Sequence, residues 1–253
     1  MATMQDVQAR AAKVDDASQV ARGMLAEIDL AAAETSLFHT LEERYRQIAA
    51  RCLDPNATTS KSQSLAISSA VHGEGASSVA IGIAVAAARN LGADVLLLEA
   101  DMQRPQLAAD FAADAMIGLS DYLSSDIPLE SVIKETRAAK VFLLPAGRRT
   151  PNPGPLIRSD RFRDLLKQLH GVFPTIIIDT PPLLTSPHAA VIANHADSVV
   201  LVVRSGHTHA HDAAKALKSI QDTPVRGVVL NRTRTWAPQW LTRVLGVSRF
   251  DID

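Results

Sequence analysis

The sequence predicts an α/β protein with a doubly wound, mainly parallel sheet and helices on both faces. Two observations predict it. Short apolar runs recur from residue 65 onward: "LAISSAV", "DVLLLEA", "VFLLPAG", "TIIIDT", "DSVVLVV" and "GVVLN". Most are too continuous to have a wet face, as in strands covered on both sides. Helical patterns separate them, at about 76–91, 160–170, 187–195 and 209–220. Such alternation implies parallel strands joined by right-handed crossovers. Ligands of these sheets bind at the carboxyl ends of the strands.

Taken in order, residues 1–59 form an N-terminal helical segment and linker. Within it, Leu37, Leu41, Tyr45, Ile48 and Cys52 recur at three- and four-residue steps, with Ser36 placed to cap the helix. "DPNATTSKSQS" is a polar linker. Residues 60–235 form the α/β domain, and 236–253 an amphipathic tail. In that tail Trp240, Leu241, Val244, Leu245 and Val247 lie near helical spacing, with Arg243 and Arg249 among them. This suits a helix packed on the domain, or one docking on a membrane partner or the bilayer surface.

Composition narrows the function. The chain has 253 residues, of which 47% are hydrophobic and 21% charged, enough for one sizeable core. A net charge of −1 implies no general attraction to nucleic acid. The lone Cys52 excludes an internal disulfide framework and fits a reducing cytoplasm. No apolar run approaches the roughly 20 residues of a membrane span. A role at the membrane therefore requires a partner chain.

The strand ends carry the chemistry. "SAVHGEGASSVA" follows a strand and precedes a helix. Ala70, Gly75 and Ser77 match the spacing G/A-x-x-x-x-G-K-S/T of a phosphate loop, but Ala76 stands at the lysine position. In such a loop glycine-rich backbone turns N–H groups inward, lysine neutralises phosphate charge, and the hydroxyl binds Mg²⁺. The same stretch also suits an ordinary strand-to-helix turn with serine caps. In "LLLEADMQRPQ", Glu99 and Asp101 form a carboxylate pair of the kind that holds Mg²⁺ or takes a proton. Asp101 equally suits a helix cap. In "TIIIDTPP", Asp179 ends a β-branched run in a Walker B arrangement, and Pro181-Pro182 makes a stiff exit.

Together these loops resemble the bacterial tyrosine kinases of polysaccharide synthesis and export (BY-kinases), P-loop proteins grouped with the MinD and ParA ATPases. The resemblance runs from about Thr40 to Arg232. It is sharpened by "GLSDYL", "LLPAGRRTPNPGPLI" and "GVVLNR". It implies ATP and Mg²⁺ as cofactors. Nucleotide binding would fall to Gly73, Glu74, Gly75, Ala76, Ser77, Ser78 and Arg104, with Asn231 and Arg232 near the base. Ser77 and Asp179 would hold the metal. Asp101 and Glu99 are the catalytic candidates, vestigial if the chemistry is lost. The implied partner is a Wzc-like membrane polysaccharide co-polymerase, and the implied place the cytoplasmic face of the membrane.

The departures concern chemistry. Besides Ala76, Glu99 replaces the first aspartate of a D-x-D-x-R pattern and Gln103 its arginine. The family's oligomerising E-x-x-R-x-x-R helix is matched by Glu43 and Arg46, while Ala49 takes the last place, which weakens the implied homo-oligomer. No tyrosine follows Arg232, whereas the family carries a tyrosine cluster there as autophosphorylation substrate. Losing the lysine removes about 3 kcal/mol or more of transition-state stabilisation, a hundredfold or more in rate. Lys61 lies at the wrong end of its strand, roughly 30 Å away. Arg104, Arg148, Arg149 and Arg204 are the candidate substitutes.

The leading expectation is thus a catalytically impaired, kinase-like cytoplasmic component of exopolysaccharide or capsule assembly. One alternative is an active kinase or ATPase using a substitute arginine. Another is a MinD/ParA-like positioning ATPase, disfavoured because that class also needs the lysine. His207, His209 and His211 lie close together, but Thr208 as a helix cap would leave His207 outside the helix, which disfavours a metal pair.

Overall fold

The computed structural model describes residues 32–111, 117–220 and 222–233. The expectations for the first 31 residues and for the tail from 236 lie outside them. Helix α1 (Ala32–Cys52) leads through a polar turn into β1 (Gln63–Ser69). Helix α2 (Ala76–Leu91) and β2 (Val95–Glu99) follow. Three short helices come next: α3 (Leu107–Asp110), α4 (Leu119–Ser124) and α5 (Leu129–Val132). Strands β3 (Lys134–Glu135) and β4 (Val141–Leu144) lead to α6 (Gly154–Ile157) and α7 (Asp160–His170). The chain continues through β5 (Thr175–Asp179), α8 (Ala189–Ala193), β6 (Ser198–Arg204), α9 (Ala210–Lys218) and β7 (Val225–Asn231).

These strands form one sheet in the order β3-β4-β2-β5-β1-β6-β7. Every pairing is parallel except the short β3–β4 pair. The doubly wound, mainly parallel sheet is therefore as expected. Alternate residues of each strand sort to its two faces. Leu65, Ile67, Leu97, Ile177 and Val200 pack with α2 on one side, while Ala66, Leu96, Leu98, Ile176 and Ile178 pack with α7 on the other. Both faces are covered over the central strands, which explains their unbroken apolar runs, whereas edge strand β7 leaves Val228 and Leu230 exposed.

Helix α2 owes its close approach to small residues. Ala80, Ala84, Ala86 and Ala87 are buried, and Gly82 receives the Tyr45 ring of α1. A Cβ at Gly82 would meet that ring at 2.5 Å. Ala49 is buried in the same layer, so the third position of the E-x-x-R-x-x-R pattern faces the core. Glu42 pairs with Arg89 across the two helices. Ser36 lies inside α1 and does not cap it. The helical pattern runs on past it toward the N-terminus. The linker is tied down as Asp54 pairs with Lys61 at 3.1 Å and Gln63 accepts from the Asp54 N–H at 2.7 Å.

Candidate functional site: the edge of β1, β2 and β5

Strands β2, β5 and β1 are neighbours, so the three loops singled out by sequence leave the sheet side by side. Asp179 is level with Glu99 on β2 and with Ile67 on β1. The chain leaves β1 through buried Ala70 and turns at Gly73 (φ 83°) and Gly75 (φ 92°). Both angles are left-handed, where a side chain is strained. Gly75 is needed twice over, because a Cβ there would lie 2.3 Å from Asn231 Nδ2. Helix α2 begins at Ala76 with no acidic residue in its first turn. Its free N–H groups and dipole favour an anion there. The Ala76 methyl, where a lysine would extend, is packed into the core.

Asp179 sets the electrostatics. It is 3% exposed, and its Oδ1 has no hydrogen-bond partner. Burial pushes its carboxyl up to about 8. The nearby Ser77 hydroxyl pulls the other way, while Glu99, Asp101 and Asp110 push it further up. A buried carboxylate oxygen without a donor, beside a hydroxyl and among other carboxylates, fits a hard divalent cation. Ser77 and Asp179 are the residues that would hold Mg²⁺.

The other carboxylates are already engaged. Glu99 Oε1 accepts from the Gln106 and Leu107 N–H groups, and Oε2 accepts from the Ala146 N–H at 3.0 Å. Burial raises its carboxyl, and these three donors lower it. Glu99 thus brackets the β2 exit, the start of α3 and the β4 exit. Asp101 Oδ1 closes a turn by accepting from the Gln103 and Arg104 N–H groups at 3.2 and 3.1 Å. It does not cap α3, which is preceded by Gln106. Glu74, inside the phosphate loop, is fully buried.

The chain is similar to known proteins in sequence and in fold. No family model matches the chain. The tyrosine-protein kinase CpsD of Streptococcus agalactiae is 33% identical over 171 residues, covering 66% of this chain and 73% of CpsD. The chain belongs to the bacterial tyrosine-kinase family. The tyrosine-protein kinase wzc of Salmonella typhimurium is 31% identical over 139 residues, 54% of this chain but 19% of that protein. Among solved structures, the chimerical protein CapA2B2 superposes with a TM-score of 0.70 at 30% identity, covering 76% of this chain and 85% of that one. MinD of Pyrococcus horikoshii, complexed with Mg-ADP, shares the fold: TM-score 0.56 at 24% identity, covering 73% and 77%.

In this kinase-family chain the less obvious motifs hold the loops together. The "GLSDYL" segment zips onto the β4 exit. Leu119 and Ser120 N–H groups donate to the Pro145 and Ala146 carbonyls at 2.8 and 2.9 Å. Asp121 accepts from the Gly118 and Arg148 N–H groups. The "DTPP" exit continues along β1, with Leu183 and Leu184 donating to Ser69 and Ala70 at 2.8 and 3.1 Å. In "NPGPLI", Gly154 leaves room for the buried His188 ring, which a Cβ would meet at 2.7 Å.

The candidate cations separate clearly. Lys61 pairs with Asp54 in the turn that precedes β1, at the opposite end of the strand from the phosphate loop. Arg148 is taken by Asp121 at 2.8 Å, and Arg149 donates to the Gln103 carbonyl at 3.0 Å. Arg104 is exposed, forms no ion pair among the described residues, and lies close enough to His72 of the phosphate loop to act on it. Burial, then Arg104, holds the His72 imidazole below its usual value, with Asp101 opposing. Arg204 and Asn231 are level on β6 and β7. Asn231 Nδ2 donates to the Glu74 carbonyl at 2.8 Å, and Arg232 adopts a left-handed φ of 56°. Thr208 does not cap α9, which follows His209. Its hydroxyl reaches Glu74 instead. Sequence reading missed this contact because the pair is 134 residues apart.

Proposed function

We propose that the chain is a catalytically impaired, kinase-like component of exopolysaccharide or capsule assembly. It acts at the cytoplasmic face of the membrane with a Wzc-like polysaccharide co-polymerase. Ala76 carries this reading. The phosphate loop keeps its left-handed glycines, its helix start, Ser77 and Asp179, but a buried methyl stands where the cation belongs. Backbone N–H groups of the loop and α2 would hold the phosphates of ATP. Ser77 and Asp179 would hold Mg²⁺, which neutralises phosphate charge when bound. Without the lysine, charge developing on the transferred phosphoryl group goes unmatched at that point, so binding survives better than turnover. The partner is supported by two observations. The match to wzc occupies a small part of a far longer chain. Among the described residues, no helix is long and apolar enough to cross a membrane.

Calorimetry with ATP·Mg²⁺ and a phosphate-release assay test the reading. The unaltered chain should bind weakly and turn over little. Ala76→Lys should raise turnover on the order of a hundredfold. Wild-type turnover comparable to active P-loop kinases, abolished by Asp179→Ala, would overturn the impairment. If Arg104→Ala also abolished it, the active alternative with a substitute arginine would stand, an alternative favoured by Arg104 being exposed and forming no ion pair among the described residues.

A further inference from the structure

Glu74 presents a problem that the nucleotide site does not solve. It sits between the two left-handed glycines of the phosphate loop, where triphosphate charge would gather. A carboxylate free to swing there would repel the ligand, and in this chain no loop lysine offsets it. Yet Glu74 is fully buried. Its Oε2 accepts from the Val71 N–H at 2.9 Å, and its Oε1 accepts from the Thr208 hydroxyl. That hydroxyl itself accepts from the Arg204 N–H at 2.8 Å. With a lone pair taken by Arg204, the Thr208 proton is directed at Glu74. The Thr208 N–H returns to the Arg204 carbonyl at 3.0 Å, so the β6–α9 turn is closed on itself. The Glu74 carbonyl is held separately by Asn231 Nδ2.

We propose that Thr208 is a positioning residue: its hydroxyl holds the Glu74 carboxylate inside the protein and off the phosphate cradle. The proposal rests on reading residues 70–77 as a nucleotide phosphate loop. The chain places a donor from the β6 exit against the loop's own negative charge. The loop can then present N–H groups alone to an anion. Removing the hydroxyl while keeping the branched shape, as in Thr208→Val, releases the carboxylate. Thr208→Ser keeps it in place.

Amide exchange of the full chain without nucleotide reads the contact directly. The Val71 N–H is protected by Glu74, so Thr208→Val should speed its exchange by about tenfold or more, and Thr208→Ser should leave it within about twofold. Unchanged protection in Thr208→Val, or equal loss in Thr208→Ser, overturns the proposal. The consequence for charge is read by calorimetry in the Ala76→Lys background. There Thr208→Val should weaken ATP·Mg²⁺ about tenfold, the effect of one like charge brought near, and ADP·Mg²⁺ less. Adding Glu74→Gln should restore ATP affinity. Equal losses for both nucleotides, with no rescue by Glu74→Gln, would mean a disordered loop and no electrostatic role. If the Ala76→Lys chain binds no nucleotide at all, the phosphate-loop reading falls, while amide exchange still decides whether Thr208 holds Glu74.

Discussion

Asp179→Asn should stabilise the unliganded protein and abolish its response to Mg²⁺. In the folded chain the Asp179 carboxyl is raised from 3.8 to about 8, first by burial and then by the neighbouring carboxylates. Below pH 3.8 both folded and unfolded chains hold the proton, and the substitution changes nothing electrostatic. Between 3.8 and about 8 only the folded chain holds it, so wild-type stability falls as pH rises through that window. At roughly 1.4 kcal/mol per unit, the accumulated loss by pH 7 is at most about 4 kcal/mol. Internal relaxation lowers that, so Asn should add about 2 kcal/mol at pH 7 and nothing at pH 3. Urea denaturation of both proteins at several pH values, without metal, measures the difference. A difference that stays constant from pH 4 to 8 would refute the reasoning. Calorimetry supplies the second half: Mg²⁺ should strengthen nucleotide binding in the wild type and not in Asp179→Asn.

Two further substitutions test how the edge is assembled. Glu99→Ala leaves three backbone donors, Gln106, Leu107 and Ala146, without their acceptor. It should lower unfolding free energy by about 3 kcal/mol or more, read by denaturant titration. A loss below about 1 kcal/mol would mean that solvent replaces the bracket freely. Gly118→Ala places a Cβ 2.3 Å from the Pro145 carbonyl oxygen and 2.4 Å from the Gly147 nitrogen, both backbone atoms that cannot swing aside. A loss of about 3 kcal/mol, or a Tm lowered by roughly 10 °C, is expected, and an unchanged Tm would contradict the packing of "GLSDYL" on the β4 exit.

The parts of the fold that were legible are those with a local signature. "TIIIDT" and "DSVVLVV" announce strands because both faces of β5 and β6 must be apolar. Helices α2 and α7 match the bounds their helical patterns predicted, and the structure adds the Ser159 hydroxyl, which accepts from the Phe162 N–H at 3.2 Å, as the cap of α7. Helices α3 to α6 span four to six residues, too few for an apolar period to show. Strand β3 has two residues and pairs antiparallel with β4, which no pattern announces. In the site, glycine spacing made the loop legible. The engagement of Glu99 and Glu74 was not, because Ala146 and Thr208 lie 47 and 134 residues from them. Glu99 as a carboxylate beside Asp101 suggested metal or proton chemistry. Only the folded chain shows both its oxygens bound by backbone.

That engagement sharpens what the missing lysine means. The edge gathers Glu74, Glu99, Asp101 and Asp179, all acidic, around a cradle meant for a triphosphate. Glu74 is bound by Val71 and Thr208, Glu99 by three backbone donors, and Asp101 by its own turn. Among the described residues, Asp179 alone keeps a buried carboxylate oxygen without a donor. Protein donors therefore meet the buried carboxylate oxygens of this edge except at Asp179 Oδ1, where a cation would bind. In a chain with the lysine, phosphate charge is shared between that side chain and the metal. If the site binds nucleotide as proposed, with Ala76 the metal would carry nearly all of it, and nucleotide affinity should depend more steeply on Mg²⁺. A loop that had merely drifted into a plain turn would have no need to keep one acidic oxygen buried, unpaired and level with the strand ends.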